Sequence, residues 1–187
     1  MSNIIDKKNR VAGLVFYTNN MKALALFLKN PSASFYGGEV AKRTGLSRAG
    51  ANFALRDLSH EGLLLKEGRG RMDFYRLDGL NPVARQMKVV FNVVQLVPLT
   101  NALSKCSIRI VLYGSAATGE NAEDSDTDLL ILSRDKKEVE KIVGKYFFER
   151  LQPVIHTPQE WAVIEGNNPV FAEETRHGLI LWESHES

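Results

Sequence analysis

The residues with the clearest chemical meaning lie between two apolar segments, in the stretch from Val111 to Leu132. The first segment ends at Gly114 and Ser115, and the second begins just after Asp126 and Asp128. Glycine lets the backbone turn tightly and approach a ligand closely. Ser115 is predicted to cap a short helix whose N–H groups favour a phosphate. Because Asp126 and Asp128 are two residues apart, an extended chain directs both carboxylates to one face.

This combination predicts a site for Mg²⁺ and a nucleoside triphosphate. Mg²⁺ takes oxygen ligands and is usually shared between one or two carboxylates and substrate phosphates. Two such ions stabilise the attacking and leaving oxygens of an in-line displacement. An Asp-x-Asp sequence at a strand edge is also common turn chemistry. The order of strand, Gly-Ser, loop, Ser-Asp-x-Asp and strand, with a spacing of eleven residues between Gly114 and Ser125, is more specific.

At these residues the sequence resembles the DNA polymerase β-like nucleotidyltransferase superfamily, in particular its minimal nucleotidyltransferase branch. The resemblance covers Lys105 to Trp182 and implies a mixed-sheet fold. It also implies that Gly114 and Ser115 contact nucleotide phosphates, and that Asp126 and Asp128 are catalytic and bind Mg²⁺ (or Mn²⁺). The residues that match are Gly114, Ser115, Gly119, Ser125, Asp126, Asp128 and Leu129.

Two departures from the family pattern bear on turnover. Many relatives carry an arginine shortly before the second glycine of the loop, where this chain has Thr118. Active members usually place a third carboxylate on the next core strand, but the candidate strand Leu151 to His156 contains no Asp or Glu. His156 is the polar group on that strand that could act as a ligand or base, or it is a half-solvated histidine at a strand end. Binding of a metal ion by two carboxylates does not need this third carboxylate, whereas turnover needs a general base.

Charge divides the chain into two halves. Residues 1–80 contain 13 Lys/Arg and 7 Asp/Glu, and residues 81–187 contain 11 and 15, giving balances of +6 and −4. A basic half suggests nucleic acid as its partner. Cys106 is the single cysteine, which excludes a disulfide framework within one chain and fits a reducing, cytoplasmic location. The apolar run Val11 to Tyr17 is too short to span a bilayer, so no membrane association is expected.

The basic half is predicted to contain helices, a turn and a β-hairpin. Ser47 caps a helix from Arg48 to Glu61, and Gly62 follows it as a left-handed residue. Ala51, Leu55 and Leu58 form one buried stripe of that helix. The remaining predictions are helices at Met21–Leu28 and Glu39–Thr44, strands at Ser34–Tyr36, from Leu63 and at Met72–Leu77, and a basic turn at Lys66–Arg71.

Residues 21–78 resemble a winged helix-turn-helix of prokaryotic regulators, and EVAKRTGLS and ALRDLSHEGLL carry most of the resemblance. Arg48, Asn52 and Arg56 lie four residues apart, opposite the buried stripe. Arginine reads guanine and asparagine reads adenine in the major groove, while Lys66, Arg69 and Arg71 in the hairpin suit phosphates or the minor groove. These six residues are the predicted DNA contacts. The alternative is that they solvate an exposed face of a dimerisation module.

Asn81 and Pro82 mark the boundary of this domain, since proline suits the first position of a helix. One long helix from Val83 to Leu103, bent at Pro98, follows. Its apolar residues exceed one stripe, which suggests burial against a second copy of the chain in a homodimer, or packing on its own chain. The predicted domains are residues 1–80 (winged helix), 81–104 (linker helix) and 105–187 (nucleotidyltransferase-like), an α+β organisation.

After the carboxylate strand, the pattern predicts a helix from Lys136 to Phe148 with a buried side of Ile142, Val143, Tyr146 and Phe147. Thr157, Pro158 and Glu160 form the capping pattern of the next helix, on which Trp161 is a core anchor or a base-stacking residue. A helix from Asn168 to Arg176, ended by Gly178, and a strand from Leu179 to Trp182 complete the chain. Arg176 and His177 either neutralise a triphosphate or complement the helix C-terminus.

Together these patterns predict a cytoplasmic, DNA-binding nucleotidyltransferase-like protein that binds Mg²⁺ and a nucleoside triphosphate and transfers a nucleoside monophosphate to an acceptor hydroxyl. One alternative is a transcriptional regulator whose second domain senses a nucleotide or mediates association without turnover. Another is an antitoxin that modifies or masks a partner toxin. The missing strand carboxylate favours a regulator, whereas the intact Gly-Ser and Asp-x-Asp patterns favour an enzyme.

Overall fold

Helices and strands of the computed structural model, which describes residues 9–146 and 150–184, group into two units, Met1–Gln95 and Leu96–Ser187. The division falls inside a long helix, α5. The N-terminal unit contains α1 (Arg10–Val15), α2 (Asn19–Lys29), β1 (Phe35–Tyr36), α3 (Gly37–Thr44), α4 (Arg48–His60), β2 (Leu64–Arg69) and β3 (Met72–Leu77). Its three strands form an antiparallel sheet in the order β1-β3-β2.

Helix α4 is positioned by the stripe that its sequence predicts. Ala51, Leu55 and Leu58 are buried and pack into a core with Leu24 and Phe27 of α2. The hydroxyl of Ser47 accepts a hydrogen bond from the Gly50 N–H at 3.0 Å, as an N-cap does. With this face buried, the opposite face of α4 is left to solvent.

The hairpin turn is shorter than the predicted segment Lys66–Arg71. Lys66 and Arg69 lie within β2, and Arg69 pairs directly with Met72 of β3. Only Gly70 and Arg71 connect the strands, and Gly70 has a φ of 63°. Two-residue hairpin turns require positive φ, which glycine adopts without a steric penalty. The glycine therefore sets the turn, and two of the predicted turn cations become strand residues.

Helix α5 (Pro82–Leu103) contains Pro98 and contributes to both units. Phe91 and Val94 join the N-terminal core, while Leu99 and Leu103 are buried further along the helix. Its apolar excess is only partly buried, since the exposed fractions of Val83 and Val90 are 57% and 39%.

The C-terminal unit is a mixed sheet flanked by helices. After α5 come β4 (Arg109–Tyr113), α6 (Ser115–Thr118), β5 (Thr127–Leu132), α7 (Lys136–Val143), β6 (Leu151–His156), α8 (Pro158–Asn167), α9 (Pro169–Arg176) and β7 (Leu179–Glu183). The strand order is β6-β5-β4-β7, in which β4 pairs antiparallel with β5 and β7, and β5 pairs parallel with β6. The predicted mixed sheet is confirmed.

Helices α8 and α9 pack on one face of this sheet. Trp161 of α8 and Phe171 of α9 pack against a buried cluster of Val111, Tyr113, Leu130 and Leu132. The rings of Trp161 and Phe171 meet edge to face with a centroid distance of 5.7 Å. Trp161 is therefore a core anchor.

The capping pattern predicted for α8 is present. The Glu160 N–H donates to the Thr157 hydroxyl at 3.2 Å, and the Thr157 N–H donates to the Glu160 carboxylate at 2.8 Å. This reciprocal pair satisfies backbone N–H groups at the start of the helix.

Helix α7 differs from its prediction. It ends at Val143 with Gly144 as its C-cap, and its buried residue is Val139, whereas Ile142, Val143 and Tyr146 are half-buried. The predicted continuation through Phe147 and Phe148 lies outside the described residues. No helix within the described part of the chain is both long enough and apolar enough to cross a membrane.

Candidate functional site

Gly114 stands at the junction between β4 and α6 and has a φ of 67° and a ψ of −157°. This region of conformational space is essentially restricted to glycine. A Cβ built on Gly114 would lie 2.8 Å from Oδ2 of Asp128. Gly114 is itself the N-cap of α6, and Ser115 is the first helical residue. The predicted capping role of Ser115 is therefore wrong: the four-residue helix begins one position earlier.

Asp128 faces Gly114 because of the strand register. It pairs with Tyr113 across the antiparallel β4 and β5 strands, at the end of β4 where the chain turns into α6. Burial, the charge of Asp126 and the charge of Glu174 raise the pKa of Asp128, in that order of size. Asp126 is exposed and immediately precedes β5. The two predicted carboxylates thus interact.

Glu174 is a third carboxylate at this place, and it was not predicted from the sequence. Phe171 packs its ring against Tyr113 at a centroid distance of 5.5 Å. Glu174 lies three residues later on α9, on the same side of the helix. Its Oε1 lies 3.8 Å from the position of a Cβ on Gly114. Burial, with Asp128 and Glu174 nearby, raises the pKa of Tyr113 to about 12.

Strand β6 supplies neither a carboxylate nor a histidine to the site. Because β5 and β6 are parallel, Asp128 pairs with Gln152, and His156 pairs with Leu132 at the opposite end of β5. Four residues of strand separate the two positions by about 13 Å. His156 instead lies 3.7 Å from the carboxylate of Glu160. The hypothesis that His156 is a ligand or base is therefore wrong.

The loop before Asp126 is held by hydrogen bonds to its backbone. Arg150, which has a φ of 65°, donates from Nη1 to the carbonyl oxygen of Asp124 at 2.6 Å. The Thr127 N–H donates to the Arg150 carbonyl at 2.9 Å. Ser125 accepts a hydrogen bond from the Ala122 N–H at 2.8 Å. These contacts fix the chain on both sides of Asp126.

The ion pairs that the structure describes involve other acidic residues, not these three carboxylates. Within residues 9–146 and 150–184, no Lys, Arg or His forms an ion pair with Asp126, Asp128 or Glu174. The same residues contain no ready-made group of three metal-ligating side chains. This suits an ion that takes one or two carboxylates and completes its coordination with substrate phosphates and water, as Mg²⁺ does.

Arg176 and His177 do not face this site as free cations. Arg176 forms ion pairs with Glu165 and Glu173 at 3.1 and 3.0 Å, and His177 lies 2.9 Å from Glu173. Both side chains therefore pair with side-chain carboxylates of α8 and α9, and these contacts do not test the predicted interaction with the helix C-terminus.

The candidate DNA contacts on α4 are exposed on the face opposite the buried stripe: Arg48, Asn52 and Arg56. The amide of Asn52 lies against α3, since a Cβ on Gly37 would be 2.1 Å from Asn52 Oδ1. The guanidinium of Arg56 lies over the ring of Phe53 at 4.6 Å. Phe53 was not selected from the sequence. An aromatic side chain on the polar face of an amphipathic helix can nevertheless be recognised from the sequence.

The hairpin cations differ in whether they form ion pairs with residues that the structure describes. Lys66 pairs with Asp73 at 2.8 Å, which raises the pKa of the Lys66 ammonium. Arg69 pairs with Glu67 at 2.8 Å. Arg71, in the turn, has no ion pair with any residue that the structure describes. Arg71 is thus the hairpin cation most open to an external anion.

Comparison with known proteins finds one family. Residues 96–173 match the family model described as "Nucleotidyltransferase domain". No curated protein matches the chain significantly. A solved structure from Sulfolobus solfataricus, provisionally described as a nucleotidyltransferase, is 14% identical. That match covers 57% of this chain and 90% of the other, with a TM-score of 0.36. The residues that match the family model all lie in the C-terminal unit, and they include Gly114, Asp126 and Asp128.

Proposed function

We propose that the C-terminal unit binds a nucleoside triphosphate with Mg²⁺ (or Mn²⁺) and transfers a nucleoside monophosphate to an acceptor hydroxyl. The observation that carries this proposal is that Asp128 and Glu174 meet at Gly114, with the charge of Asp126 acting on Asp128. Gly114, Asp126 and Asp128 lie inside the segment that matches the nucleotidyltransferase family, and Glu174 directly follows its last residue. Carboxylates that repel one another in the free protein are stabilised when a divalent cation binds between them and the phosphates.

Asp126 and Asp128 would hold the metal ion, because both are hard oxygen donors and no Lys, Arg or His among the described residues forms an ion pair with either. When bound, Mg²⁺ would supply charge stabilisation to the phosphates. Gly114 and Ser115 would contact the phosphates, since a glycine without a Cβ leaves the backbone open to a ligand.

Glu174 is suited to the role of general base. In the proposed reaction the acceptor oxygen bonds to the α-phosphorus, and the bond from that phosphorus to the bridging oxygen of pyrophosphate breaks. Glu174 would accept the proton that the acceptor hydroxyl loses, and pyrophosphate would leave with the electron pair of the broken bond. A carboxylate beside the metal ligands, rather than on β6, would thereby supply the base that the sequence did not reveal.

We further propose that the N-terminal unit is a winged helix that binds DNA. Its order of helices, its β1-β3-β2 sheet and its short hairpin support this. Arg48 and Arg56 on α4 would reach bases, and Lys66, Arg69 and Arg71 would contact the phosphate backbone. Asn52, whose amide lies against α3, would contribute less to base reading than the sequence predicts. A homodimer reading two half-sites remains our proposal for its assembly.

A calorimetric titration of MgATP and MgGTP into the wild-type protein tests the nucleotide site. We expect saturable, metal-dependent binding that the Asp126→Asn/Asp128→Asn variant loses. Glu123→Gln/Asp124→Asn is the matched control, because it removes two exposed carboxylates from the same loop. Equal binding by the wild type and the Asp126→Asn/Asp128→Asn variant, or no binding by the wild type, contradicts the assignment.

The second candidate function is a regulator that binds a nucleotide without turnover. The observation that favours it is the absence of a carboxylate from β6, where Gln152 pairs with Asp128. Incubation with α-³²P-labelled nucleotides and mixed cellular RNA, DNA and protein separates the two candidates. Label transferred to an acceptor, and dependent on Glu174, supports the enzyme. Tight nucleotide binding without transfer supports the regulator.

A further inference from the structure

A cleft of about 660 Å³ lies in the N-terminal unit, between α4, the beginning of α3 and the hairpin. Ligand sites in proteins commonly have volumes of roughly 300–1,000 Å³. Three aromatic side chains line the cleft, Tyr36, Phe53 and Tyr75, together with two arginines, Arg56 and Arg71. Aromatic rings beside arginines are the combination that proteins use to bind nucleotides that are not paired.

Phe53 is the unusual member of this lining. It lies in the middle of α4, yet 60% of its side chain is exposed, while its neighbour Ala54 is completely buried. The ring therefore adds little to the core of the unit. Arg56, three residues later, holds its guanidinium 4.6 Å from the ring centroid. This contact orients a flat apolar surface beside a positive charge.

Charge in the cleft favours an anionic ligand. The carboxylate that lines it, Asp73, is already neutralised by Lys66 at 2.8 Å. Neither Arg56 nor Arg71 forms an ion pair with any described residue. The cleft thus offers two uncompensated guanidinium groups next to an aromatic ring, which matches a ligand with both a phosphate and a flat ring.

We propose that this cleft binds one unpaired nucleotide, with its base stacked on Phe53 and its phosphate held by Arg56 and Arg71. The inference rests on the nucleic-acid binding proposed for the N-terminal unit and assigns part of it to single-stranded nucleic acid. A base inside a duplex is already stacked on its neighbours and cannot offer a face to Phe53. The nucleotide belongs either to a single strand or to the free mononucleotide pool.

The test compares fluorescence anisotropy of a labelled single-stranded 12-mer and of its duplex, with competition by unlabelled AMP. All titrations use EDTA and the Asp126→Asn/Asp128→Asn background, so that the C-terminal site does not contribute. Phe53→Ala removes the stacking surface and Phe53→Trp retains it. Leu80→Ala is the matched control, because Leu80 is an 87% exposed apolar side chain outside the cleft lining.

We expect Phe53→Ala to weaken single-strand binding by at least about fivefold, the lower range for loss of one stacked base. Phe53→Trp and Leu80→Ala should bind the single strand as the parent does, and duplex binding should change much less. Competition by AMP at concentrations comparable to the 12-mer would identify a free nucleotide as the source. Weak competition would identify the single strand.

Equal losses for single strand and duplex in Phe53→Ala, or no loss for either, overturn the inference without contradicting the duplex binding proposed for this unit. If single-strand binding depends on Phe53 and the duplex does not bind, the inference is supported. Only the duplex-binding part of the proposed function is then contradicted. If neither nucleic acid binds, the inference is overturned together with the nucleic-acid binding proposed for this unit, and the C-terminal nucleotide site is unaffected.

Discussion

The two candidate sites of this chain are built in opposite ways. In the C-terminal unit, Asp128 of β5 and Glu174 of α9 converge on Gly114, and burial, together with neighbouring negative charges, raises the pKa of Asp128. In the N-terminal unit, the cations are spread over an exposed helix face and a hairpin, and two of them already have carboxylate partners. The first site depends on several groups meeting at one place. At the second, each cation is expected to add its own contribution to the affinity for DNA.

This difference predicts how each site responds to mutation. Convergent groups that act as a unit are strongly non-additive, so one change disables the set. Separate phosphate contacts each contribute a modest, salt-dependent part of the affinity. The predictions that follow examine this contrast.

Gly114→Ala should damage the C-terminal site directly, because it adds a methyl group beside Asp128. The φ of 67° disfavours an L side chain by about 1–3 kcal/mol, and the new Cβ would lie 2.8 Å from Asp128 Oδ2. We expect at least a tenfold loss of MgATP affinity by calorimetry and a lower melting temperature. Gly166→Ala is the control, since a Cβ there meets nothing within 4 Å and alanine favours a helix. Equal MgATP affinity of the two variants would contradict the claim that the nucleotide site depends on Gly114.

Glu174→Gln should lower turnover more than nucleotide affinity. The change removes the proposed base and one of the charges that raise the pKa of Asp128. A lost general base typically costs roughly 100- to 10,000-fold in rate, measured here as transfer of label from α-³²P nucleotide. Glu173→Gln makes the same charge change on the same helix, but at a carboxylate bound to Arg176 and His177. If Glu173→Gln slows transfer equally, Glu174 has no special role.

Arg71→Ala should weaken DNA binding more than Lys66→Ala does. Arg71 has no ion pair with a described residue, whereas Lys66 must give up its contact with Asp73 to bind a phosphate. Loss of one phosphate contact should lower the slope of log K against log salt by about 0.9, while Lys66→Ala should change it less. Anisotropy titrations at several salt concentrations measure both slopes. A greater change for Lys66→Ala would show that the internal ion pair opens on binding.

Glu160→Gln should change stability without changing either site. Hydrogen bonding from the Thr157 N–H and the nearby Lys136 ammonium lower the pKa of Glu160 from 4.5 to about 2. Because the folded pKa is depressed, this contribution to stability is complete above pH 4.5 and disappears as the pH falls through about 2. The melting temperature of Glu160→Gln should therefore be lower than wild type at pH 7, with the difference shrinking across that range. A constant difference would indicate that packing rather than charge is responsible.

The sequence determined the local structure well where periodicity and capping chemistry act within a few residues. The buried stripe of α4, the capping box of α8 and the strand Met72–Leu77 are where the pattern places them. Prediction was poorer at element ends, as in the short hairpin turn and the early end of α7. Those boundaries depend on one glycine conformation or on the next packed element, which a periodic pattern does not contain.

The site divides in the same way. Gly114, Asp126 and Asp128 could be recognised because they are close in sequence and their spacing carries the chemistry. His156 could be considered as a ligand or base from the sequence, but the parallel register of β5 and β6 places it at the end of β5 opposite Asp128. Glu174 could not be chosen over Glu173 from the sequence, since only the packing of Phe171 on Tyr113 decides which face of α9 meets the sheet. Sequence determines what short stretches of chain can do, and only tertiary packing brings together charges that are distant along the chain.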